Sequence, residues 1–317
     1  MSEPVDFTYR VGGPLGSRAR RAGLWFNPAF FAFTAATLTW LILIWRQVPC
    51  RPLPGDAFPN PFLRMCYSDI PILYLNRDLS IGSGIYTDIA LEYPVLIGGF
   101  VAVTRAITGL LGAVISPEAT FDEQLAASQL FFQVNAIALF GCFLVTVWVH
   151  LKMGRHSPRV GYAGPVRVWD ALLIAASPIV ALNGLINWDM FAVMLTSIGL
   201  LIWSRKYPFI AGGVLGLAFA AKFYPVLVLI AITLICVRSG HYRALTRAWI
   251  GAVVAWLAVN VPVMIFAWQG WSKFWTLNAD RGADLGSIWY VLTLAGLKLP
   301  AVSAIAFVCM AISGAAV

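Results

Sequence analysis

The sequence predicts an all-α polytopic membrane protein. Three observations carry that expectation. The chain is 60% hydrophobic and only 11% charged, with a mean hydropathy of +0.80, whereas soluble domains average about 25% charged residues. Apolar runs of bilayer-spanning length recur from residue 26 onward. Lysines and arginines fall in short clusters between those runs, the pattern that encodes membrane topology. The net charge of +8 is therefore a topology signal, with some clusters able to meet lipid headgroups. It gives no reason to expect nucleic acid as a partner.

Each element follows from that pattern. Residues 1–25 are rich in Pro, Gly and Arg and are expected to be a disordered cytoplasmic tail. Arg18, Arg20 and Arg21 precede a first span at 26–46. That span is longer than a signal-peptide core and lacks a small-residue cleavage site, so it reads as an uncleaved signal anchor. Residues 47–93 then lie outside. The run 94–116 carries Arg105 in its middle. Counted as a span, it would put the acidic stretch 117–123 inside and Lys152, Arg155, Arg159 and Arg167 outside, against the positive-inside rule. It is expected instead to be re-entrant or interfacial and covered by protein. Residues 47–128 thus form one outer loop, and the next span, 129–151, runs inward to the basic loop 152–168.

Residues 169–204 are flanked by Arg167 and by Arg205 and Lys206. Basic flanks on both sides require two spans, with an outer turn near 183–189. The run 207–237 repeats the argument, because a single helix there would be about 46 Å long. Two short spans turning near 220–225 are expected, with Lys222 in a protein-lined cavity below the outer surface. A span at 247–267, an outer loop at 268–299 and a last apolar segment at 300–317 complete a single domain, 26–317. The last segment ends without a flanking charge, so the chain is expected to be C-terminally incomplete. Every acid except Glu3, Asp6 and Asp170 falls outside in this scheme. Acids do not set orientation, so an acid-rich outer face points to outward-facing chemistry.

The stretch 67–96 holds Asp69, Asp78, Asp88 and Glu92 among branched-apolar and aromatic residues. It is too apolar for a solvated loop and too acidic for a bilayer span. Backbone at the membrane surface, with acids turned toward a cavity, reconciles the two. His150, His156 and His241 sit at cytoplasmic ends, which disfavours a histidine-based triad with the outer acids. No P-loop, HExxH or dinucleotide fingerprint occurs in a suitable context. Cys142, Cys236 and Cys309 read as packing residues, whereas Cys50 and Cys66 share an outer loop, either bonded or as two free thiols.

Carboxylates and isolated cations remain. Asp69, followed by IPILYL, is the candidate general base. Asp78, beside Arg77, and Asp88, after the IGSGIYT turn, suit loop roles. Lys222, next to Phe223 and Tyr224, and Arg281, between Trp275 and Trp289, suit a phosphate at the membrane surface. The plainer readings are snorkelling for Lys222 and pairing with Asp280 or Asp284 for Arg281. Glu92 is either a site acid or a structural partner of Arg77 or Arg105. Asp189 either orients its loop or binds substrate. There is no metal-ligand cluster, although Asp69 with Glu92 could hold an ion weakly.

The segments YSDIPILY (67–74), LEYPVL (91–96), NWDMFAV (187–193), GLAFAAKFYP (216–225) and NADRGADLGSIWY (278–290), in this order and spacing, carry a resemblance. Over residues 24–295 the chain resembles the GT-C superfamily of membrane glycosyltransferases and, more narrowly, glycosyltransferase family 87. The resemblance implies a GT-C-like bundle of about eight transmembrane helices with outer-face juxtamembrane helices. It implies an inverting hexosyl- or pentosyltransferase. Mannose or arabinofuranose would move from a polyprenyl-phosphate donor to a cell-envelope glycolipid or glycan, on the outer face of the cytoplasmic membrane. Asp69 matches the acid of the first outer loop, which serves as base or positions the acceptor. Arg77, Glu92, Tyr93, Asp189, Lys222, Tyr224 and Arg281 are the implied substrate contacts. Neither a cofactor nor a metal is implied, since no nucleotide diphosphate takes part. Family members usually continue with several more spans. A lipid-linked-sugar flippase and a non-catalytic scaffold are the rival readings; no motif repeats between halves for the first, and the intact Asp69 loop opposes the second.

Overall fold

The computed structural model describes residues 27–51, 60–154, 165–280, 282–283, 287–297 and 300–315. The expected disordered tail, most of the basic loop after residue 154, and Arg281 lie outside the described residues.

The first helix, α1 (Pro28–Gln47), starts where Asn27 accepts a hydrogen bond from the Ala29 amide (3.1 Å) and Pro28 takes the first helical position. It buries Ala32, Ala36, Trp40 and Leu43 and turns Leu38, Leu41, Ile42 and Trp45 outward. An apolar outer face of this size belongs in lipid. A short 3₁₀ turn, Val48–Cys50, leads to the disulfide Cys50–Cys66, which decides between the two cysteine readings in favour of the bond. Helix α2 (Asp69–Asn76) is capped by the Ser68 hydroxyl, which accepts from the Ile70 amide.

Helix α3 (Val95–Leu110) has 16 residues, about 24 Å, short of a ~30 Å hydrocarbon core. The guanidinium of Arg105, which made this run awkward in lipid, donates to the Ser83 carbonyl (2.6 Å). Helix α4 (Phe121–Gly154) has 34 residues and begins well before the expected start at 129. The cause is a capping box: the Thr120 amide donates to the Glu123 carboxylate (2.7 Å) and the Glu123 amide to the Thr120 hydroxyl (3.3 Å).

Over 169–204, where two spans are expected, the chain forms α5 (Ala171–Ala175), α6 (Pro178–Asn183) and α7 (Asp189–Ser204), apolar helices broken between 183 and 189. The break between α5 and α6 falls before Pro178, which cannot donate to the preceding turn. The 207–237 run reverses as expected. Helix α8 (Pro208–Ala221) ends at extended Lys222, and α9 (Pro225–Arg238) starts on a proline. Helices α10 (Tyr242–Phe266), α11 (Trp268–Asp280), α12 (Ile288–Leu294) and α13 (Val302–Ala315) follow. Three helical stretches, Pro28–Cys50, Phe121–Gly154 and Tyr242–Phe266, are long and apolar enough to cross a membrane. Among the described residues there is no strand, only an isolated bridge between Ile85 and Ile89. The chain is an all-α membrane protein.

Two packing motifs position the site. Around α4, Trp40 stacks between Phe140 and Phe143, and Tyr74 stacks on Phe131 (4.6 Å between centroids). On the other side, α8 and α10 touch backbone to backbone. A Cβ added at Gly212 would lie 1.9 Å from the Ala248 carbonyl oxygen, and one at Gly216 would lie 2.2 Å from that of Ala252. This is small-residue helix packing, which needs no side-chain interdigitation.

The Cys50–Cys66 bond spans 16 residues, worth up to about 3 kcal/mol by chain entropy. Thiol titration of the denatured, unreduced protein should find Cys142, Cys236 and Cys309 alone, and reduction should release two more. The Cys50→Ser/Cys66→Ser double variant should unfold at a lower temperature. A count of five thiols before reduction would exclude the bond.

Candidate active site

Asp69 opens α2, and its place is set from two sides. Its backbone amide donates to the Ile186 carbonyl (2.6 Å), and the neighbouring Ser68 hydroxyl donates to the Leu185 carbonyl (2.6 Å). The turn 184–188 is in turn held by Trp188, fully buried, whose indole donates to Asn135 Oδ1 on α4 (2.7 Å). Two tyrosine hydroxyls fix the carboxylate. Tyr67 donates to Oδ1 and Tyr93 to Oδ2, both at 2.7 Å. Each carboxylate oxygen can accept more than one hydrogen bond, so Asp69 keeps capacity for a further proton donor.

Tyr93 lies edge-on to Trp188 (5.1 Å between centroids). Burial first, then the adjacent Asp69 charge, pushes its phenol well above the ordinary tyrosine range. It therefore stays a hydrogen-bond donor at neutral pH. Lys222 Nζ sits 5.4 Å from the Tyr93 ring centroid and pairs with Asp189 Oδ1 at 2.6 Å. An ammonium has three donors, and among the described residues Asp189 is its one ion-pair partner. Glu92 is bound through both oxygens by the Arg77 guanidinium. Burial would raise the Glu92 carboxyl, but the hydrogen bond and charge of Arg77 hold it below its ordinary range.

These groups open into one cavity of about 610 Å³, lined by Asp69, Glu92, Tyr93, Asn187, Asp189, Lys222 and Tyr224 on its polar side and by Leu73, Phe223, Leu227, Phe274 and Leu277 on its apolar side. Helix α11 covers it from the side of the outer loop. Gly270 of α11 packs on the backbone of Tyr86, where an added Cβ would lie 2.1 Å from the Tyr86 carbonyl oxygen. Four helices, α2, α3, α7 and α9, begin at the cavity's edge, with Asp69, Pro94, Asp189 and Tyr224 at or next to their first turns. Their positive ends favour an anionic ligand.

Of the residues singled out by sequence, six line this one cavity: Asp69, Glu92, Tyr93, Asp189, Lys222 and Tyr224. Arg77 reaches it only through Glu92, which it pairs with in preference to Arg105. Arg281 lies outside the described residues. Lys222 is not the isolated cation that its neighbours in sequence made it, because Asp189 from α7 meets it across the cavity wall. The Tyr224 hydroxyl bonds to the Thr196 hydroxyl (2.9 Å), tying α9 to α7. Asp88 accepts from the Gly84 amide within its own turn (2.6 Å). Sequence reasoning missed Tyr67, Asn187 and Asn278. Asn278 carries a legible signal, since Trp271, Phe274, Trp275 and Asn278 follow helical i, i+3, i+4, i+7 spacing. Among the described residues no three His, Cys, Asp or Glu side chains gather as a metal site would require.

Residues 110–317 match the sequence profile of glycosyltransferase family 87. That is most of the chain, and the protein belongs to this family of glycosyltransferases. The match takes in Asp189, Lys222 and Tyr224, whereas Asp69, Glu92 and Tyr93 lie before it. No curated protein and no solved structure matches the chain.

The Arg77–Glu92 pair sets a pH dependence. Glu92 titrates below its ordinary value of 4.5 in the folded protein. Its stabilisation is therefore present above that value and lost as pH falls through the lowered one. Thermal unfolding of Arg77→Gln in detergent should lie below wild type at neutral pH. The gap should close in acid, where Glu92 is protonated in both states. A gap that is constant with pH would show that Arg77 contributes packing alone.

Proposed function

We propose that the chain transfers mannose or arabinofuranose from a polyprenyl-phosphate donor to a hydroxyl of a cell-envelope glycolipid or glycan. The reaction takes place at the outer face of the cytoplasmic membrane, within a GT-C-like bundle of about eight transmembrane helices. One observation carries this reading. In a family 87 glycosyltransferase, a tyrosine-fixed carboxylate and a lysine share one cavity, bordered by the starts of four helices. The outer location rests on the basic clusters at 152–167, 205–206 and 238–247. It rests also on the Cys50–Cys66 bond, which requires an oxidising compartment.

The donor's phosphate meets Lys222 and the helix N-termini, and its polyprenyl chain leaves along the apolar side by Phe223 and Leu227. The acceptor hydroxyl donates to Asp69. As its oxygen bonds to the anomeric carbon, its proton passes to Asp69. The anomeric carbon–oxygen bond to phosphate breaks, and the electron pair leaves with the polyprenyl phosphate. Attack from the face opposite the phosphate inverts the anomeric centre. Lys222 and the helix ends stabilise the charge that grows on the leaving phosphate. Tyr67 and Tyr93 hold Asp69 in one orientation throughout, and Asp189 holds Lys222 against the cavity wall. Glu92, neutralised by Arg77, Asn187 and Asn278 are placed to meet sugar hydroxyls.

The test is to incubate membranes containing the protein with radiolabelled polyprenyl-phosphate mannose or arabinose and to analyse the lipid and glycan products. Asp69→Asn is nearly isosteric and removes the proton acceptor, so turnover should fall by about 10²–10⁴. Lys222→Met should weaken donor use by about 1.5–3 kcal/mol, roughly ten- to a hundredfold, without loss of folded protein. Wild-type turnover in Asp69→Asn beside an inactive Glu92→Gln would move the base to Glu92. No product from the wild-type chain with either donor would remove the polyprenyl-phosphate reading.

A further inference from the structure

A second cavity, of about 210 Å³, lies on the other side of α2. Asp69 and Leu73, four residues apart, face the reaction cavity, while Ile72 and Leu75 face this one. Leu125 and Phe132 of α4 complete a mostly apolar wall, beside the Cys50–Cys66 disulfide. Ser68, Ser128, Gln129, Gln47 and Arg51 interrupt it, and the last two carry unmet donors. Gln47, only 2% exposed at the end of α1, has a side-chain amide nitrogen without a hydrogen-bond partner among the described residues. The buried Nε of Arg51 likewise has none, and its guanidinium lies 4.7 Å from the Phe132 ring centroid. A buried donor left unmet is costly. Among the described residues no carboxylate lines this cavity, so a ligand that satisfies both groups brings its own acceptor oxygens.

The surroundings say where such a ligand comes from. Phe62, Leu63 and Met65 are 57%, 82% and 64% exposed, next to the outward-facing Trp45 and Val48. Arg46 ties this loop to the end of α1 by donating to the Met65 carbonyl (2.7 Å). An apolar loop fastened at the end of an apolar helix, with Arg46, Arg51 and Arg64 nearby, matches the boundary between acyl chains and headgroups.

We propose that this cavity binds one acyl lipid with an anionic phosphate headgroup, taken from the surrounding leaflet. One chain lies against Ile72, Leu75, Leu125 and Phe132, and the phosphate and ester oxygens accept from Gln47 and Arg51. The apolar wall excludes a free phosphate as the natural ligand. The guanidinium, always charged, favours an anionic over a zwitterionic headgroup. This site is separate from the proposed sugar-transfer chemistry and does not depend on it.

Native mass spectrometry of the full chain in detergent tests the site, with phosphatidylglycerol, phosphatidylcholine and inorganic phosphate as probes. Wild type should retain one phosphatidylglycerol and at least tenfold less phosphatidylcholine, and excess inorganic phosphate should not displace the lipid. Arg51→Met should weaken retention at least tenfold, and Leu75→Trp, which fills the cavity, should abolish it. Unfolding temperatures establish that each variant is folded. Equal retention of the two lipids overturns the anionic headgroup, and displacement by inorganic phosphate marks a small-anion site instead. Retention indifferent to both substitutions identifies ordinary annular lipid and sinks the proposal.

Discussion

The structure turns on two hydrogen bonds that cross a long stretch of sequence. The Ser68 hydroxyl and the Asp69 amide donate to the carbonyls of Leu185 and Ile186. They fasten the outer loop to the turn between α6 and α7, 117 residues away for Ser68 and Leu185. Neither donor is then free to pair elsewhere, so α2 has one place to start. Trp188, at the end of the same turn, is locked onto Asn135 of α4, and Tyr93 packs edge-on against its indole. The carboxylate of Asp69 is thus held by Tyr93, which packs on Trp188, and by Tyr67, which stacks on Phe62 of the outer loop. In a low-dielectric setting a fully satisfied network of this kind rigidifies its members.

The electrostatics follow from the same arrangement. Asp69, Glu92 and Asp189 are acids on a cavity offered here for an anionic phosphate. Two are already answered: Arg77 covers Glu92, and Lys222 covers Asp189. The third, Asp69, is met among the described residues by the neutral hydroxyls of Tyr67 and Tyr93. On the proposed reading, what attracts a phosphate is then the remainder: Lys222 beyond its pair with Asp189, and the first turns of α3, α7 and α9. The tyrosine-held carboxylate of Asp69 takes, on that same reading, the acid–base role and Lys222, shared with Asp189, the anion-holding role.

Much of the architecture was legible because the bilayer imposes coarse rules. The reversal at Lys222–Tyr224 followed from basic flanks on both sides of a run too long for one span, and the turn between 183 and 189 followed likewise. Asp69 stood out as an acid beside the apolar run IPILYL, and the two form one helix. Hydropathy, however, is blind to caps. The start of α4 was hidden because Phe121–Gln124 is polar, although Thr120 and Glu123 spell out a capping box. Long-range pairing was not legible either. Lys222 finds Asp189 33 positions away, a distance at which charge pattern carries no information. The choice of Arg77 over Arg105 as partner of Glu92 is decided by the 82–86 turn, which draws the Arg105 guanidinium to Ser83.

The roof of the cavity is coupled to its floor through Tyr86. Tyr86, buried and in the left-handed region at φ +70°, donates its hydroxyl to the Tyr93 carbonyl (2.7 Å), with the Pro94 carbonyl at 2.9 Å. A tyrosine holds such a conformation only where its surroundings over-determine it. Here the hydroxyl fixes the segment that carries Tyr93, and the main chain of Tyr86 receives Gly270 of α11. A side chain at position 270 would therefore push on Tyr86, and Tyr86 on the residue that orients Asp69. Helix α11 brings Phe274, Leu277 and Asn278 over the same cavity. Gly270, Tyr86 and Tyr93 thus link α11 to the Asp69 carboxylate through one close backbone contact and two hydrogen bonds, Tyr86 hydroxyl to Tyr93 carbonyl and Tyr93 hydroxyl to Asp69 Oδ2.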